Sequence, residues 1–301
     1  MRTKIILNPA ADQGRGRRYQ DLIAMFGRQY GEVEVALTTG PRHATELARE
    51  AALAGYDLVV AAGGDGTVHE VVNGLYQVPH STAVLGVVPI GSGNDFAYAA
   101  GIPLSPEQAI ERVFTGKRHE VDLVRIEDDH GRSRVFDNNF GLGFDATVVI
   151  ETQKVTRVRG FLMYLTAVFR TMTYYYDRPH IEAQFDDETV TQDILFLAVG
   201  LGPRGGGGFL LVPDARQDDG LIDSCTVNPI NRFTMLRLIP STLNGSHITS
   251  RHVTMRRNQR IRIRCTTPMA IHIDGEVFAY PADQIHAVTL TVLPAALRVI
   301  V

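Results

Sequence analysis

Five consecutive residues with two adjacent glycines form the strongest chemical signal in this sequence. Gly63-Gly64-Asp65-Gly66-Thr67 follows a short apolar run and precedes a helical pattern. Glycines let the backbone approach a ligand closely, and main-chain N–H groups at a helix N-terminus bind phosphate. Thr67 adds a hydroxyl, and Asp65 suits a cation or a bound water, because a bare carboxylate would repel phosphate. The alternative is a tight turn with Asp65 as a helix N-cap.

Three other strand ends carry residues of the same kind. Gly91-Ser92-Gly93-Asn94-Asp95 follows an apolar run and opens a helix, the first strand ends at residues 8–12, and the second ends at Thr38-Thr39. The spacing fits neither a Walker A loop nor a dinucleotide fingerprint. Because the carboxyl ends of parallel strands open on one crevice, these turns predict a nucleotide site.

Two acidic turns in the second half complete the chemistry. Asp274-Gly275-Glu276 projects two carboxylates at nearby points, so that one can act as a general base while the other binds metal or orients the first. Asp218-Asp219-Gly220 places adjacent acids at the start of a strand, which a hard cation with oxygen ligands would explain. For both sequences the alternative is a simple hairpin turn.

The elements that must position these residues fall into two regions. Over residues 1–125, apolar strands at 4–7, 33–37, 57–62 and 84–89 alternate with helical patterns, which predicts βαβ units and a parallel sheet. Residues 126–293 are mostly strands, and only 156–172 and 232–238 have helical patterns. The sequence therefore predicts an α/β domain followed by a β-rich antiparallel domain, with 294–301 returning to the first.

Composition limits the class of protein. The 301 residues are 45% hydrophobic and 21% charged, with a net charge of −3, which is globular composition and not that of a typical nucleic-acid-binding protein. Cys225 and Cys265 give no disulfide framework, which favours a reduced, cytoplasmic protein. No run approaches the length of a spanning helix, so we expect no transmembrane segment and any membrane contact to be peripheral. The sequence leaves a homodimer open.

These motifs together resemble the diacylglycerol kinase catalytic domain family, most closely its soluble bacterial lipid kinases, which are related to sphingosine and ceramide kinases. The resemblance rests on Asn8-Pro9, the Gly63–Thr67 turn, Pro89-Ile90-Gly91-Ser92-Gly93-Asn94-Asp95-Phe96, residues 213–223 and residues 271–276. It implies a nucleotide-binding domain similar to NAD kinases and 6-phosphofructokinases, joined to an antiparallel β-sandwich-like domain.

The resemblance also implies site residues. ATP would be bound by Asn8, Pro9, Ala10, Ala11, Asp12, Thr38, Gly63, Gly64, Asp65, Gly66, Thr67, Val68, His69, Ser92 and Asn94. A structural Mg²⁺ would be held by the Asp219 side chain and the carbonyls of Arg216 and Leu221. Asp274 or Glu276 would be the general base, with Asp65 holding metal or phosphate-bound water.

Two cationic stretches could contact a lipid surface. Residues 156–176 combine three arginines with many aromatic residues, a composition found in interfacial helices, although a core-facing helix has a similar pattern. Residues 251–264 contain six arginines and no acid. They predict either a patch for anionic lipid or a solvated strand edge.

The sequence thus predicts an ATP-dependent lipid kinase acting on the hydroxyl of diacylglycerol or a related lipid at a membrane surface, with a role in phospholipid biosynthesis. Two alternatives stay open. One is a kinase of the same superfamily with a soluble acceptor, such as NAD or a polyol. The other is a nucleotide-binding module without catalysis.

Overall fold

The computed structural model describes residues 1–14, 16–155, 158, 161–175 and 177–301, with the side chains of residues 12 and 13 left out. The chain forms two compact units, Met1–Leu123 with Ala295–Val301, and Val124–Pro294. The sequence prediction of a cationic helix begins at Thr156 and includes Arg157 and Arg159, and these residues lie outside the described part.

The first unit is built on parallel strands. Its strands are β1 (Arg2–Leu7), β2 (Glu32–Leu37), β3 (Leu58–Gly63), β4 (Val84–Pro89) and the first part of β5 (Arg118–Asp128). Strands β1 to β4 pair in the order β2-β1-β3-β4, all parallel. Its helices are α1 (Ala11–Gly14), α2 (Tyr19–Gly27), α3 (His43–Leu53), α4 (Asp65–Tyr76), α5 (Asp95–Ala99) and α6 (Pro106–Thr115).

Burial explains why the central strands were easy to predict. Every residue of β3 and β4 is buried, as expected for parallel strands covered on both faces by helices. Helix α6 has the opposite character, with one apolar stripe toward the core and Ser105 at its N-cap accepting the Gln108 N–H. The two patterns alternate along the chain, and this alternation fixes the α/β class.

The second unit is predominantly antiparallel. Its strands are β6 (Ser133–Phe136), β7 (Asn139–Gly143), β8 (His180–Phe185), β9 (Glu188–Asp193), β10 (Phe196–Gly200), β11 (Ile222–Val227), β12 (Val253–Asn258), β13 (Arg260–Cys265), β14 (Ile271–Ile273), β15 (Glu276–Ala279) and the part of β16 (Ala287–Ile300) that precedes Ala295. One sheet has six strands in the order β12-β11-β10-β7-β14-β15. In the other, β16, β13, β8 and β9 pair in that order.

The core of the second unit lies between these two sheets. Phe140, Leu197 and Ile273 of the six-stranded sheet pack into one cluster with Ile181 and Ile263 of the other sheet. The opposite face of the six-stranded sheet is covered by helices α7 (Phe144–Thr152), α8 (Phe161–Tyr174) and α9 (Arg232–Thr242). The predicted sandwich-like antiparallel arrangement is therefore confirmed, with a helical layer added.

The expectation of only two helices in this region is wrong, because α7 is a third. Strand β7, which leads into it, was also missed because Gly141 and Gly143 give the segment the composition of a loop. The sequence pattern predicts strands at 120–127, 134–138, 181–185, 194–200, 220–227, 259–265, 270–273 and 287–292, so β9, β12 and β15 were not predicted either. Strand β9 is polar and mostly exposed, so it lacks the apolar alternation on which such predictions depend.

None of the helices in the described ranges combines the length and the apolar character needed to cross a membrane.

Candidate functional site

The glycine turn after β3 begins helix α4 earlier than its sequence pattern suggests. The N–H groups of Thr67 and Val68 both donate to the Gly64 carbonyl, at 2.9 and 3.1 Å, so the helix starts at Asp65 rather than at Val68. The first N–H groups of a helix have no partner within the helix. The turn therefore presents main-chain donors at a positive helix end, which is an anion site in chemical terms.

Two of the glycines are also required by packing. A Cβ on Gly63 would lie 2.3 Å from the Thr67 Oγ1, and one on Gly91 would lie 2.5 Å from the Cα of Gly64. The latter contact is with backbone, which cannot move aside as a flexible side chain does. The turns after β3 and β4 are thus in direct main-chain contact.

Asp65 joins these two turns through hydrogen bonds. Its Oδ2 accepts the Asn94 N–H at 2.7 Å, and its Oδ1 accepts the N–H groups of Asp95 and Phe96 at 2.7 and 3.4 Å. The carboxylate therefore caps α5 instead of its own helix. The backbone of Asn94 has a φ of +55°. Its side chain forms two hydrogen bonds of 2.9 Å with the main chain of Gly91, accepting the N–H and donating to the carbonyl.

The turn after β1 is tied to the same place. Asn8 Oδ1 accepts the Ala10 N–H at 2.9 Å, and its Nδ2 donates to Thr67 Oγ1 at 3.3 Å. Thr38, at the end of β2, donates its N–H to the Leu7 carbonyl but lies two strands away from β3. The structure therefore brings together the turns after β1, β3 and β4.

The remaining predicted nucleotide residues differ in exposure. Ser92 and Ala10 are exposed, and Pro9 and Ala11 are half-buried. Val68 and His69 are buried, and His69 Nε2 lies 3.3 Å from Asn73 Nδ2. The side chain of Asp12 lies outside the described part.

The Asp65 carboxylate binds its proton more tightly than that of an ordinary aspartate. Burial of its carboxylate and the nearby Asp95 carboxylate raise the pKa of Asp65 to about 6, against the opposing effect of the three N–H donors. An ordinary aspartate titrates near pH 4. Ionisation of Asp65 therefore lowers the free energy of unfolding. The turn after β4 is held by this destabilising carboxylate.

This cost gives a testable pH dependence. Because the folded-state pKa is raised, the penalty is absent below about pH 4 and fully present above about pH 6, where it reaches about 2–3 kcal/mol. We expect the free energy of unfolding of the parent, minus that of Asp65→Asn, to fall by this amount between about pH 4 and pH 7. Chemical denaturation across this range measures it, with the substitution Asp21→Asn at an exposed position of α2 as the control. A difference that did not change with pH would contradict the assignment.

In the second unit, the acidic turn is a two-residue connection between β14 and β15. Asp274 and Gly275 have φ of +48° and +78°, and Ile273 pairs with Glu276. Positive φ at both central residues is the geometry of a type I′ hairpin. The hairpin alternative is thus correct as geometry, and it leaves the chemical role of the acids open.

The Asp274 carboxylate is held by three successive main-chain N–H groups. Although only 7% exposed, it accepts from Asn138 and Asn139 at Oδ1 (3.0 and 2.8 Å) and from Asp137 at Oδ2 (3.1 Å). These bonds fix the carboxylate in one orientation. Glu276 is half-buried at the start of β15.

The loop at 137–139 is a part of this site that sequence reasoning missed. Asn138 Nδ2 donates to the Arg204 carbonyl at 3.0 Å, and Gln217 Nε2 donates to the Asp137 carbonyl at 3.3 Å. Asn138 and Gln217 are both buried. The only available signal was a run of three polar residues directly after an apolar strand.

The predicted metal loop contains more charge than the sequence pattern indicated. Asp219 Oδ1 accepts the Leu221 N–H at 3.1 Å, and its Oδ2 pairs with Arg257. The same guanidinium lies 3.4 Å from Asp223, a buried residue whose other carboxylate oxygen has no hydrogen-bond partner among the described residues. Burial raises the pKa of Asp223, although Arg257 opposes the shift. Two carboxylates thus share one cation here, and an all-oxygen donor set with excess negative charge fits a hard divalent ion.

Arg216, the third predicted metal residue, directs its side chain to Asp218, with Nε 3.1 Å from Oδ1. Only its carbonyl was expected to bind metal. Leu221 is half-buried, and its N–H bond to Asp219 places the two residues of the predicted set side by side.

Comparison with known proteins identifies the family of this chain. The profile of the diacylglycerol kinase catalytic domain matches residues 2–126, and that of the YegS C-terminal NAD kinase beta sandwich-like domain matches residues 139–301. The chain is 30% identical to the diacylglycerol kinase of Bacillus subtilis over 280 residues, covering 91% of this chain and 89% of that protein. The chain belongs to the diacylglycerol kinase family. It is a kinase homologue of the lipid kinase branch, as the sequence motifs predicted.

Other relatives of this kinase carry related names. A probable lipid kinase YegS-like protein of Xanthomonas campestris is 31% identical, with 91% of this chain and 89% of that protein covered. Among solved structures, a putative diacylglycerol kinase from Bacillus anthracis aligns with a TM-score of 0.81 at 22% identity, covering 99% and 96% of the two chains. A yeast NADH kinase aligns with a TM-score of 0.55 at 12% identity, covering 99% and 82%. These structures confirm the fold.

Proposed function

We propose that this kinase transfers the γ-phosphoryl group of ATP to the hydroxyl of diacylglycerol or a related lipid at a membrane surface. The observation that carries the proposal is the conjunction of the glycine turns with a family match that covers both units. The turns at Gly63–Thr67 and Gly91–Asn94 supply main-chain donors for phosphate, and the printed names of the relatives favour a lipid acceptor.

The nucleotide would be held by the three joined turns. The N–H groups at the start of α4 would bind phosphate oxygens, with Thr67 adding a hydroxyl and the Asn8 side chain fixing that hydroxyl in place. Asp65 would act chiefly as a positioning residue, because its carboxylate already holds the turn at Asn94–Phe96. The earlier expectation that Asp65 also holds metal or phosphate-bound water stays a prediction.

Proton removal from the acceptor would fall to the acidic turn. Phosphoryl transfer needs accurate positioning, neutralisation of charge and one acceptor for the hydroxyl proton. Asp274 offers an oriented carboxylate, and Glu276 is the alternative base. Mg²⁺, when bound, would neutralise charge and stabilise the loop at Arg216, Asp219 and Leu221, where Asp219 and Asp223 fit an oxygen-coordinated cation.

The decisive experiment is incubation of the protein with radiolabelled ATP, Mg²⁺ and a total lipid extract, followed by identification of the product. We expect the label in the organic phase, as a lipid phosphomonoester, with at least about a hundredfold slower labelling by Asp274→Asn. Label found only in the aqueous phase, in a parallel incubation with NAD and polyols, would show a soluble acceptor. Nucleotide binding without transfer to any acceptor would favour the non-catalytic module.

A further inference from the structure

Helices α8 and α9 of the second unit expose large apolar side chains. Leu162 and Phe169 of α8 are 60% and 44% exposed, and Phe233 and Leu236 of α9 are 62% and 42% exposed. On α8 the exposed positions 162, 166, 169 and 173 recur at helical spacing on one face, while the opposite face is buried. Each helix therefore has an apolar side toward the core and, toward solvent, a face that carries two large apolar side chains, which on α8 are interspersed with Thr166 and Thr173.

The exposed faces of α8 and α9 lie next to each other. Arg232, the first residue of α9, donates from Nη2 to the carbonyl of Thr173, an exposed residue of α8, at 3.2 Å. Behind them, Met172 of α8 and Met235 of α9 belong to one buried cluster. We call the exposed face formed by Leu162, Phe169, Tyr174, Phe233, Leu236 and Arg237 the α8–α9 surface.

The charge of this surface has one sign. Neither helix contains an aspartate or glutamate, and together they carry Arg170, Arg232 and Arg237, although the whole chain has a net charge of −3. Arg170 is neutralised by Glu151 at 3.0 Å. The guanidinium of Arg237 lies 4.4 Å from the centre of the Phe233 ring, which places a cation beside an exposed aromatic side chain. Aromatic and aliphatic side chains combined with arginine are the composition of helices that lie at an anionic bilayer surface.

Helix α8 also reaches the acidic turn. A Cβ on Gly275 would lie 3.3 Å from the Tyr164 hydroxyl oxygen, and Tyr164 is on the inner side of α8. A Cβ on Gly206 would lie 3.2 Å from the Tyr164 ring. The helix that carries half of the α8–α9 surface therefore contacts the turn that carries Asp274 and Glu276.

We propose that the α8–α9 surface docks the kinase onto anionic phospholipid bilayers, with the apolar side chains inserted at the interface and Arg237 facing lipid phosphates. The purpose of this docking rests on the proposed function, since it would bring the acidic turn to a lipid hydroxyl. Bilayer binding itself needs neither ATP nor turnover, so the two proposals can fail separately.

The test is co-sedimentation of the full chain with vesicles of phosphatidylcholine, with and without phosphatidylglycerol. We expect binding only to the anionic vesicles, weakened at least about tenfold by Phe169→Gln with Phe233→Gln. Arg237→Gln should weaken it about fivefold and reduce its salt dependence. The matched control replaces two similarly exposed apolar residues of the first unit, Met25→Gln with Leu53→Gln, and should bind as the parent does.

Unchanged vesicle binding by the Phe169→Gln, Phe233→Gln variant would overturn the proposal. A second outcome would also overturn it. If the parent formed a concentration-dependent dimer, and the variant lost this dimer but kept vesicle binding, the surface would be a contact between copies of the chain. Vesicle binding through this surface by a protein that phosphorylates no lipid would uphold the docking proposal and refute the proposed function.

Discussion

Replacing Asp274 with asparagine should lower the turnover number of lipid phosphorylation by at least about a hundredfold, the usual contribution of a general base, while ATP affinity changes less than about twofold. The carboxylate is held by three main-chain N–H groups within the second unit, and the proposed nucleotide-binding residues belong to the first. Single-turnover kinetics and equilibrium binding of ATP measure the two quantities separately. Equal fold losses of turnover and of ATP affinity would contradict the role of Asp274 as the base.

Two further variants distinguish proton removal by a carboxylate from the structural support of that carboxylate. Asn138→Ala breaks the side-chain bond to the Arg204 carbonyl but keeps the Asp274 carboxylate, so we expect a much smaller loss of turnover. Glu276→Gln tests the alternative base. The variant that lacks the base should also lose the acidic limb of the pH profile of kcat/KM, and we expect this of Asp274→Asn. A retained acidic limb in Asp274→Asn, with its loss in Glu276→Gln, would transfer the role to Glu276.

Replacing Asp219 with asparagine should abolish stabilisation of the protein by Mg²⁺. A ligand present at a hundred times its Kd stabilises the folded state by about 2.7 kcal/mol, which corresponds to a rise of several degrees in Tm for a unit of this size. The structure supports this expectation because Asp219 and the buried Asp223 share the Arg257 guanidinium as a counter-charge. Thermal unfolding with and without Mg²⁺, in the absence of ATP, measures the effect apart from catalysis.

The neighbouring acid supplies the control for the metal. Asp218 pairs with Arg216 and is outside the predicted ligand set, so Asp218→Asn should keep the full response to Mg²⁺. With the metal at the proposed loop, Asp219→Asn should also lose about tenfold or more in activity, as metal-site substitutions commonly do. An equal Mg²⁺ shift in the Asp219→Asn variant and the parent would place the ion elsewhere.

The locations of the candidate site turns in the chain followed from local sequence. Wholly apolar runs at 58–63 and 84–89 are buried on both faces and needed no distant information to be predicted as central parallel strands. The glycines that end them are equally local signals, because tight turns and close backbone contacts depend on the absence of a side chain. The family motifs consist of these same short segments, so the family was also apparent from the sequence.

The bonds that hold the site were decided by tertiary structure. Asp65 caps a helix about thirty residues away, Asp274 is bound by amides on a strand connection that precedes it by more than a hundred, and Asp219 pairs with Arg257 on another strand. Main-chain N–H groups look the same in every residue except proline, so sequence cannot mark which of them will receive a carboxylate. Strand β7 was hidden for a related reason, since Gly141 is required by close contacts that only the folded sheet creates.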